Sequence, residues 1–97
     1  MALFAVHCLD APGALPRRLE QRPAHKAHLA TAASRGVRLK LSGPLLDGAG
    51  NMCGSLFVME AESHATVAAY VADDPFSRGG IWGTVTITGF EDLTPPA

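Results

Sequence analysis

The stretch that decides the fold is Ala2-Leu-Phe-Ala-Val-His-Cys-Leu9, which is apolar along both of its alternations. Successive side chains of a strand point to opposite faces of a sheet, so this pattern predicts a strand covered on both faces. The stretch Ser55–Glu60 has the same two-sided apolar pattern, because all four residues from Leu56 to Met59 are apolar. The two stretches are therefore predicted to be the central strands of one sheet.

Two other stretches are apolar on one side only, which is typical of strands with one exposed face. In Val37–Leu41 the apolar residues alternate with basic ones, and in Trp82–Phe90 they alternate with threonines. We predict that these stretches are the edge strands. Gly43-Pro44 is expected to end the first of them, and the glycine-rich stretch Asp47–Gly54 is expected to be a flexible loop.

The segment between the first two predicted strands has a helical pattern that is interrupted by Pro23. A proline costs roughly 3 kcal/mol in a helix interior but is well placed at the first helical position. The sequence therefore predicts a short helix or turn around Leu15–Gln21 and a main helix from Pro23 to about Ser34. Gly36 is predicted to cap the main helix.

A second helix is predicted between Ser63 and about Asp73. Ser63 is a favourable N-cap residue, and Val67, Tyr70 and Val71 form its buried stripe. Pro75 disfavours helical geometry at the residue before it, so this helix is expected to end there.

The predicted order is β-α-β-β-α-β, the split βαβ or ferredoxin-like arrangement, an α+β fold with an antiparallel sheet. Right-handed crossovers place both helices on one sheet face. The other face then presents apolar side chains of the central strands. We expect a second copy of the chain to cover it, giving a homodimer through the sheet face.

The composition limits the class of protein. The 97 residues, 47% of them hydrophobic, predict one globular domain, with residues 92–97 as a loose tail. The net charge of −1 gives no reason to expect a nucleic acid or a membrane partner. Two cysteines without a disulfide framework or a signal peptide are typical of free thiols, so we expect a cytoplasmic protein.

His25 and Asp74 are the candidate catalytic residues. His25 shares a helix face with Leu29, so it is predicted to point toward the interior. An aspartate in contact with it would hold the imidazole in one tautomer and leave its other nitrogen free to exchange protons. The alternatives are a histidine that only fills a gap and an Asp74 that only forms a turn before Pro75.

Other polar residues give weaker signals. His28 suggests a metal pair with His25 only weakly, so no metal site and no cofactor are expected. Cys8 and Cys53 have no base beside them in the sequence, so we do not expect either thiol to act as a nucleophile. His7 is a polar ring in a central strand, so we predict that it lines a substrate pocket or the dimer face.

Five short motifs together resemble the YciI-like (YCII-related) proteins. In chain order they are Arg22-Pro23-Ala24-His25, Gly43-Pro44, Gly54-Ser55, Asp73-Asp74-Pro75-Phe76 and Gly80-Ile81-Trp82. The likeness covers nearly the whole chain. It implies a ferredoxin-like fold of the dimeric α/β-barrel type.

The resemblance also implies a candidate active site. Its histidine and aspartate correspond to His25 and Asp74, and Ser55 is implied to border the same cleft as a substrate-binding residue. Some members are associated with the breakdown of aromatic or chlorinated compounds. This chain departs from the family pattern at Lys26, where an apolar residue is common, at His7, where an aromatic is common, and in a shorter loop before Gly54.

Two hypotheses about function follow. In the first, the chain is a cofactor-independent lyase or isomerase that uses His25 and Asp74 on a small cyclic or aromatic compound, possible reactions being isomerisation and elimination, including dehydrochlorination. In the second, it is a non-catalytic dimeric module that binds a small molecule, and the pair is structural. The first predicts an open cleft beside His25, whereas the second predicts a buried pair without a cavity.

Overall fold

Four strands and three helices make up a computed structural model that describes all 97 residues. In chain order they are β1 (Ala2–Asp10), α1 (Leu15–Leu29), β2 (Arg38–Leu46), β3 (Met52–Ala61), α2 (His64–Ala72), α3 (Pro75–Arg78) and β4 (Trp82–Phe90). The predicted β-α-β-β-α-β order is confirmed, with the short helix α3 added before β4. Residues 91–97 form neither helix nor strand.

The four strands form one antiparallel sheet in the order β2-β3-β1-β4. The two strands that are apolar on both alternations, β1 and β3, are central, and the one-sided strands are edges, as predicted. Val6 of β1 lies opposite Phe57 of β3 on one side and Ile87 of β4 on the other. This register places one set of alternate side chains on a common face.

The core lies on that common face, under the helices. Its β1 members are buried, whereas the intervening Leu3 and Ala5 are only half-buried and Leu9 is exposed. The helices therefore cover one face of the sheet and leave the other open. The core cluster comprises Phe4, Val6, Cys8, Ala14, Ala32, Val37, Phe57, Met59, Ala61, Val67, Tyr70, Val71, Phe76, Ile81 and Trp82.

The prediction that the segment around Pro23 forms two helices is wrong. One helix runs from Leu15 to Leu29 with Pro23 inside it. Arg18 and His25, two turns apart on one face of α1, are both buried, and the contacts that bury them outweigh the unfavourable proline. Gly36, in the left-handed conformation with φ 75°, ends a separate 3-10 turn at residues 33–35 and does not cap α1.

The prediction that Gly43-Pro44 ends β2 is also wrong. β2 continues to Leu46, because an edge strand tolerates a proline that donates no ladder hydrogen bond. A register shift between Leu39 and Leu41 places these two side chains on opposite faces of the sheet, not on one face as their spacing predicted.

The second half of the chain follows its prediction closely. The Ser63 side chain accepts a hydrogen bond from the backbone N–H of Thr66 at 3.2 Å and caps α2. The three predicted stripe residues of α2 are buried, and β4 has the predicted bounds. No helix combines the length and the apolarity that crossing a membrane would need.

Candidate functional site

His25 and Asp74 are in direct contact beneath the helices. The Nδ1 atom of His25 lies 2.9 Å from Oδ1 and 2.8 Å from Oδ2 of Asp74, and both residues are buried. Because an ionised carboxylate only accepts hydrogen bonds, Nδ1 carries the proton that it donates to Asp74. In the neutral imidazole this contact selects the tautomer in which Nε2 has a free lone pair.

Asp74 is held in place by the helix that follows it. It is the N-cap of α3, and its Oδ1 accepts the backbone N–H of Phe76 at 2.9 Å. Pro75 occupies the first position of α3 and needs no hydrogen-bond acceptor there. The turn-forming role and the contact with His25 are thus performed by the same side chain.

The imidazole ring is also fixed by aromatic neighbours. It stacks on Phe76 with ring centroids 4.1 Å apart and an angle of 7° between the planes. Trp82 and Phe57 meet it edge to face, with centroids at 5.9 and 6.2 Å. Rings packed on several sides leave His25 little freedom to rotate about its side-chain bonds.

The second nitrogen of His25 faces a cavity. Nε2 forms no hydrogen bond within the protein, and no buried side-chain nitrogen or oxygen lacks a partner, so Nε2 reaches accessible space. A cavity of about 170 Å³ lies beside the ring. It is lined by Arg18, Arg22, His25, Lys26, Leu29, Ser42, Gly43, Pro44, Met52, Ser55 and Phe57.

Ser55 lines the same cavity, at its buried side. Its hydroxyl accepts a hydrogen bond from Nη2 of Arg18 at 2.7 Å and one from Nε1 of Trp82 at 3.2 Å. These two donors fix the position of the Ser55 oxygen. The structure therefore brings together three of the four residues predicted for the site, His25, Asp74 and Ser55.

A buried arginine belongs to the site but is missing from the sequence prediction. Arg18 is 2% exposed and forms a two-pronged ion pair with Asp10, with distances of 2.7 and 3.2 Å. Its Nη2 also donates to the carbonyl oxygen of Gly54 at 2.7 Å, and its guanidinium lies 4.7 Å from the Phe76 ring centroid. The available signal is the seven-residue spacing from Arg18 to His25, which places them on one helix face.

Cys8 is a core residue near the site, and its thiol is unreactive. Burial, followed by the negative charge of Asp74, raises the pKa of its thiol from 9.0 to about 12. A thiol with such a pKa is protonated at neutral pH, and only the thiolate is a strong nucleophile. This agrees with the expectation that Cys8 performs no nucleophilic chemistry.

His7 is not brought to this site. It is exposed on the open face of the sheet, whereas the neighbouring Cys8 points to the helix-covered face that holds His25. His7 therefore does not line the cavity beside His25, and its role in a substrate pocket or at a dimer face stays a prediction. His28 has another place: its Nε2 donates to the carbonyl oxygen of Tyr70 at 2.8 Å, and its ring stacks on the Tyr70 ring.

A larger depression lies elsewhere, between the end of α1 and β2. It has a volume of about 900 Å³ and contains none of the predicted site residues. We place the candidate site at the smaller cavity, because only that cavity has a positioned imidazole. No group of three or more His, Cys, Asp or Glu side chains is arranged to hold a metal ion.

Comparison with solved structures shows a strong similarity to an enzyme of known structure. The 5-chloro-2-hydroxyhydroquinone dehydrochlorinase TftG from Burkholderia phenoliruptrix AC1100, solved in complex with 2,5-dihydroxybenzoquinone, superposes with a TM-score of 0.82. It is 30% identical and the alignment covers 92% of this chain and 93% of that one. A NIPSNAP domain protein from Burkholderia xenovorans, at a TM-score of 0.53 and 14% identity, shares the fold over 99% of this chain and 100% of its own.

Sequence comparison identifies the family. The Protein YciI of Escherichia coli O6:H1 is 32% identical in an alignment that covers 94% of this chain and 98% of that protein. The same identity and coverage hold for the Protein YciI of Shigella flexneri. Residues 2–91 match the family model of the YCII-related domain, and the chain therefore belongs to the YCII-related domain family.

Proposed function

We propose that the chain is an enzyme in which His25 transfers protons, oriented by Asp74, to and from a small hydroxylated ring compound. This proposal rests on the observation that the two nitrogens of the imidazole have different surroundings. Nδ1 is bound to Asp74 at 2.8 Å, while Nε2 has no protein partner and faces a cavity of about 170 Å³. A base needs one nitrogen anchored and the other within reach of the substrate.

The proposed reaction begins when Nε2 of His25 accepts a proton from a hydroxyl group or a carbon of the ring. The carboxylate of Asp74 stabilises the imidazolium that forms. In an isomerisation, His25 returns the proton to a different atom. In a dehydrochlorination, the electron pair left by the proton moves through the ring, and chloride leaves with the electrons of the C–Cl bond. Proton and chloride together balance as HCl, so no electron acceptor or other cofactor is required.

Two observations support this class of substrate. The structural neighbour TftG is named as a dehydrochlorinase of a chlorinated hydroxyhydroquinone and was solved with a dihydroxybenzoquinone. The cavity beside His25, about 170 Å³, is close to the roughly 150 Å³ of an engineered cavity that holds benzene. A single substituted ring is therefore the size of compound that we expect this site to accept.

We further infer that residues 1–97 act as one ferredoxin-like domain that forms a homodimer through the open sheet face, as in dimeric α/β barrels. That face presents Leu9 at 46% and Leu41 at 53% exposure, beside the half-buried Leu56 and Val58. Apolar side chains that are exposed together on one face are stabilised when a partner buries them. His7 lies on the same face and would then contact the second copy.

The alternative function is a non-catalytic binding module in which the pair only supports the fold. It is favoured by the burial of His25 and Asp74 and by the second role of Asp74 as the cap of α3. The accessible Nε2 at the cavity supports the catalytic function, because a histidine that only supports the fold does not need one nitrogen in contact with a cavity. We therefore place the catalytic function first.

The test compares His25→Gln with His64→Gln, a histidine that is exposed at the start of α2. Each variant and the wild type are screened with chlorinated and non-chlorinated hydroxyhydroquinones, following ring absorbance and chloride release. We expect His25→Gln to lower turnover by about 10²- to 10⁴-fold and His64→Gln to leave it unchanged. Wild-type turnover in His25→Gln, or no turnover in any protein while His25→Gln strongly lowers the melting temperature, would favour the binding module.

A further inference from the structure

We propose that the cavity beside His25 selects ring compounds with a negatively charged oxygen, and that Arg22 and Lys26 bind that charge. This inference rests on the proposed function, because it takes the cavity to be the substrate site. The compounds meant are phenolates, enolates and ring carboxylates, which share an anionic oxygen on a planar ring. Neither Arg22 nor Lys26 itself exchanges a proton with the substrate.

The charges that line the cavity are unbalanced. Three of its residues are cations, namely Arg18, Arg22 and Lys26, and none is an aspartate or a glutamate. The charge of Arg18 is already compensated by Asp10, at 2.7 Å. The two other positive charges at the cavity, on Arg22 and Lys26, therefore have no ion-pair partner in the protein, and a negatively charged ligand would supply one.

The two cations are also free of other partners. Neither side chain forms a hydrogen bond or an ion pair, and both are exposed. Most of the other arginines are engaged: Arg35 and Arg78 both pair with Asp73, and Arg38 pairs with Glu60. The donors of Arg22 and Lys26 are thus available to a ligand without breaking a contact.

The spacing of the cations on α1 supports a role in binding. Arg18, Arg22 and Lys26 follow one another at intervals of four residues, so their side chains lie along one side of the helix. Like charges at this spacing destabilise an isolated helix. Lys26, in the last turn, also interacts favourably with the helix dipole, whereas Arg22 lies further inside α1 and gains less from it.

The position of these cations relative to His25 gives them a further effect. Arg22 precedes His25 by three residues and Lys26 follows it directly, and all three line the same cavity. When Nε2 removes a proton, negative charge develops on the ring oxygen. Cations that line the cavity stabilise this more highly charged intermediate more than they stabilise the bound anion, so they assist the reaction as well as binding.

The test measures binding without turnover. Benzoate and benzamide have the same ring and nearly the same shape and differ in charge. Trp82, the one tryptophan of the chain, lies 5.9 Å from the His25 ring, so its fluorescence reports occupancy of the cavity. We expect wild-type protein to bind benzoate at least tenfold more tightly than benzamide, and we expect added salt to weaken the binding of benzoate only.

Three variants test which positive charges bind benzoate. Lys26→Gln and Arg22→Gln should each weaken benzoate binding by roughly three- to tenfold and leave benzamide binding unchanged. Lys40→Gln removes the other lysine of the chain, which is exposed on the edge strand β2 and does not line the cavity, and should change neither. Equal binding of the two compounds, or an equal loss in Lys40→Gln and Lys26→Gln, would overturn the inference.

His25→Gln separates this inference from the proposed function. If the variant loses turnover and keeps the preference for benzoate, both are supported. If it keeps turnover and the preference also persists, the proposed acid–base role fails while the binding role of Arg22 and Lys26 stands. If turnover depends on His25 but benzoate and benzamide bind equally, only the binding role is refuted.

Discussion

The imidazole of His25 and the carboxylate of Asp74 meet across 49 residues of sequence, with Nδ1 at 2.9 and 2.8 Å from the two carboxylate oxygens. One of these oxygens also accepts the backbone N–H of Phe76 and so begins α3. The geometry of the imidazole therefore depends on a helix cap. A change at Asp74 acts on the fold and on the site together, and two different substitutions are needed to separate the effects.

Asp74→Asn should reduce turnover while the fold is kept. The amide oxygen still accepts the N–H of Phe76 and that of His25, but the negative charge that stabilises the imidazolium is lost. A contacting carboxylate favours a charged partner by about 1–3 pKa units, so we expect turnover to fall roughly 10- to 1000-fold. Steady-state kinetics measure this loss. Turnover equal to that of the wild type would contradict a role of the charge.

Asp74→Ala should in addition destabilise the protein. This substitution removes the cap of α3 and leaves the Nδ1–H of His25 buried without an acceptor. The loss in the free energy of unfolding should be about 1–3 kcal/mol. Urea unfolding followed by circular dichroism compares it with Asp74→Asn, which should lose less. Similar losses for the two variants would show that the charge, not the hydrogen bonding, holds the fold.

Arg18→Met should destabilise the protein strongly. Arg18 and Asp10 are both nearly inaccessible, and removing the guanidinium leaves the Asp10 carboxylate buried without its partner. Breaking one side of a buried ion pair costs roughly 3–5 kcal/mol. Adding Asp10→Asn to Arg18→Met removes the stranded charge and should restore part of the loss in urea unfolding. A double variant less stable than Arg18→Met would argue against this account.

Gly54→Ala should disrupt the centre of the sheet. A Cβ atom at Gly54 would collide with the carbonyl oxygen of Cys8 and approach the Leu45 side chain to 2.9 Å. Overpacking of this kind costs about 1–3 kcal/mol or more. Gly43→Ala is the matched control, because a Cβ there would meet nothing within 4 Å. Melting temperatures of the two variants should therefore differ clearly, with Gly43→Ala close to the wild type.

Asp73→Asn should reveal a pH-dependent contribution to stability. Hydrogen bonds from Arg78 and Arg35 hold the pKa of Asp73 below its ordinary value of 3.8. A carboxylate with a lowered pKa in the folded state stabilises the protein above the unfolded pKa, and this stability disappears as the pH falls through the folded pKa. The wild type should thus melt slightly above Asp73→Asn at pH 7, and the difference should be smaller at pH 2.

The control for this experiment is Glu20→Gln, at an exposed residue of α1 without an ion pair. Its melting temperature should follow that of the wild type at both pH values. A constant difference between Asp73→Asn and the wild type down to pH 2 would mean that the charge of Asp73 is not the cause.

The sequence predicts the sheet well because alternation of side chains is a local property. Apolar residues on both alternations identified β1 and β3 as the central strands. Apolar residues on one alternation identified β2 and β4 as the edges of the sheet. Local rules failed where tertiary contacts outweigh them. Pro23 lies within α1 because the buried side chains of Arg18 and His25, on either side of it, hold the helix together. The register shift in β2 moves Leu41 to the other face of the sheet, and the spacing of the apolar residues gives no sign of it.

The candidate site was predicted in part. His25, Asp74 and Ser55 came from the helix pattern and from short motifs, and the structure brings them together. Arg18 was missed because an arginine on a helix is normally exposed, and its burial depends on Asp10, which lies on another element. His7 was correctly placed on a central strand, but alternation along β1 puts it on the opposite face from Cys8 and so from the cavity beside His25.

The edge position of β2 has a consequence for how this protein could acquire new substrates. One wall of the cavity is formed by Ser42, Gly43 and Pro44, which belong to an edge strand and to no part of the buried core. The His25–Asp74 pair is anchored on the other side, by α1 and α3. Variation confined to these three wall positions can therefore reshape the entrance without loosening the pair, which makes them a natural target for a directed-evolution library.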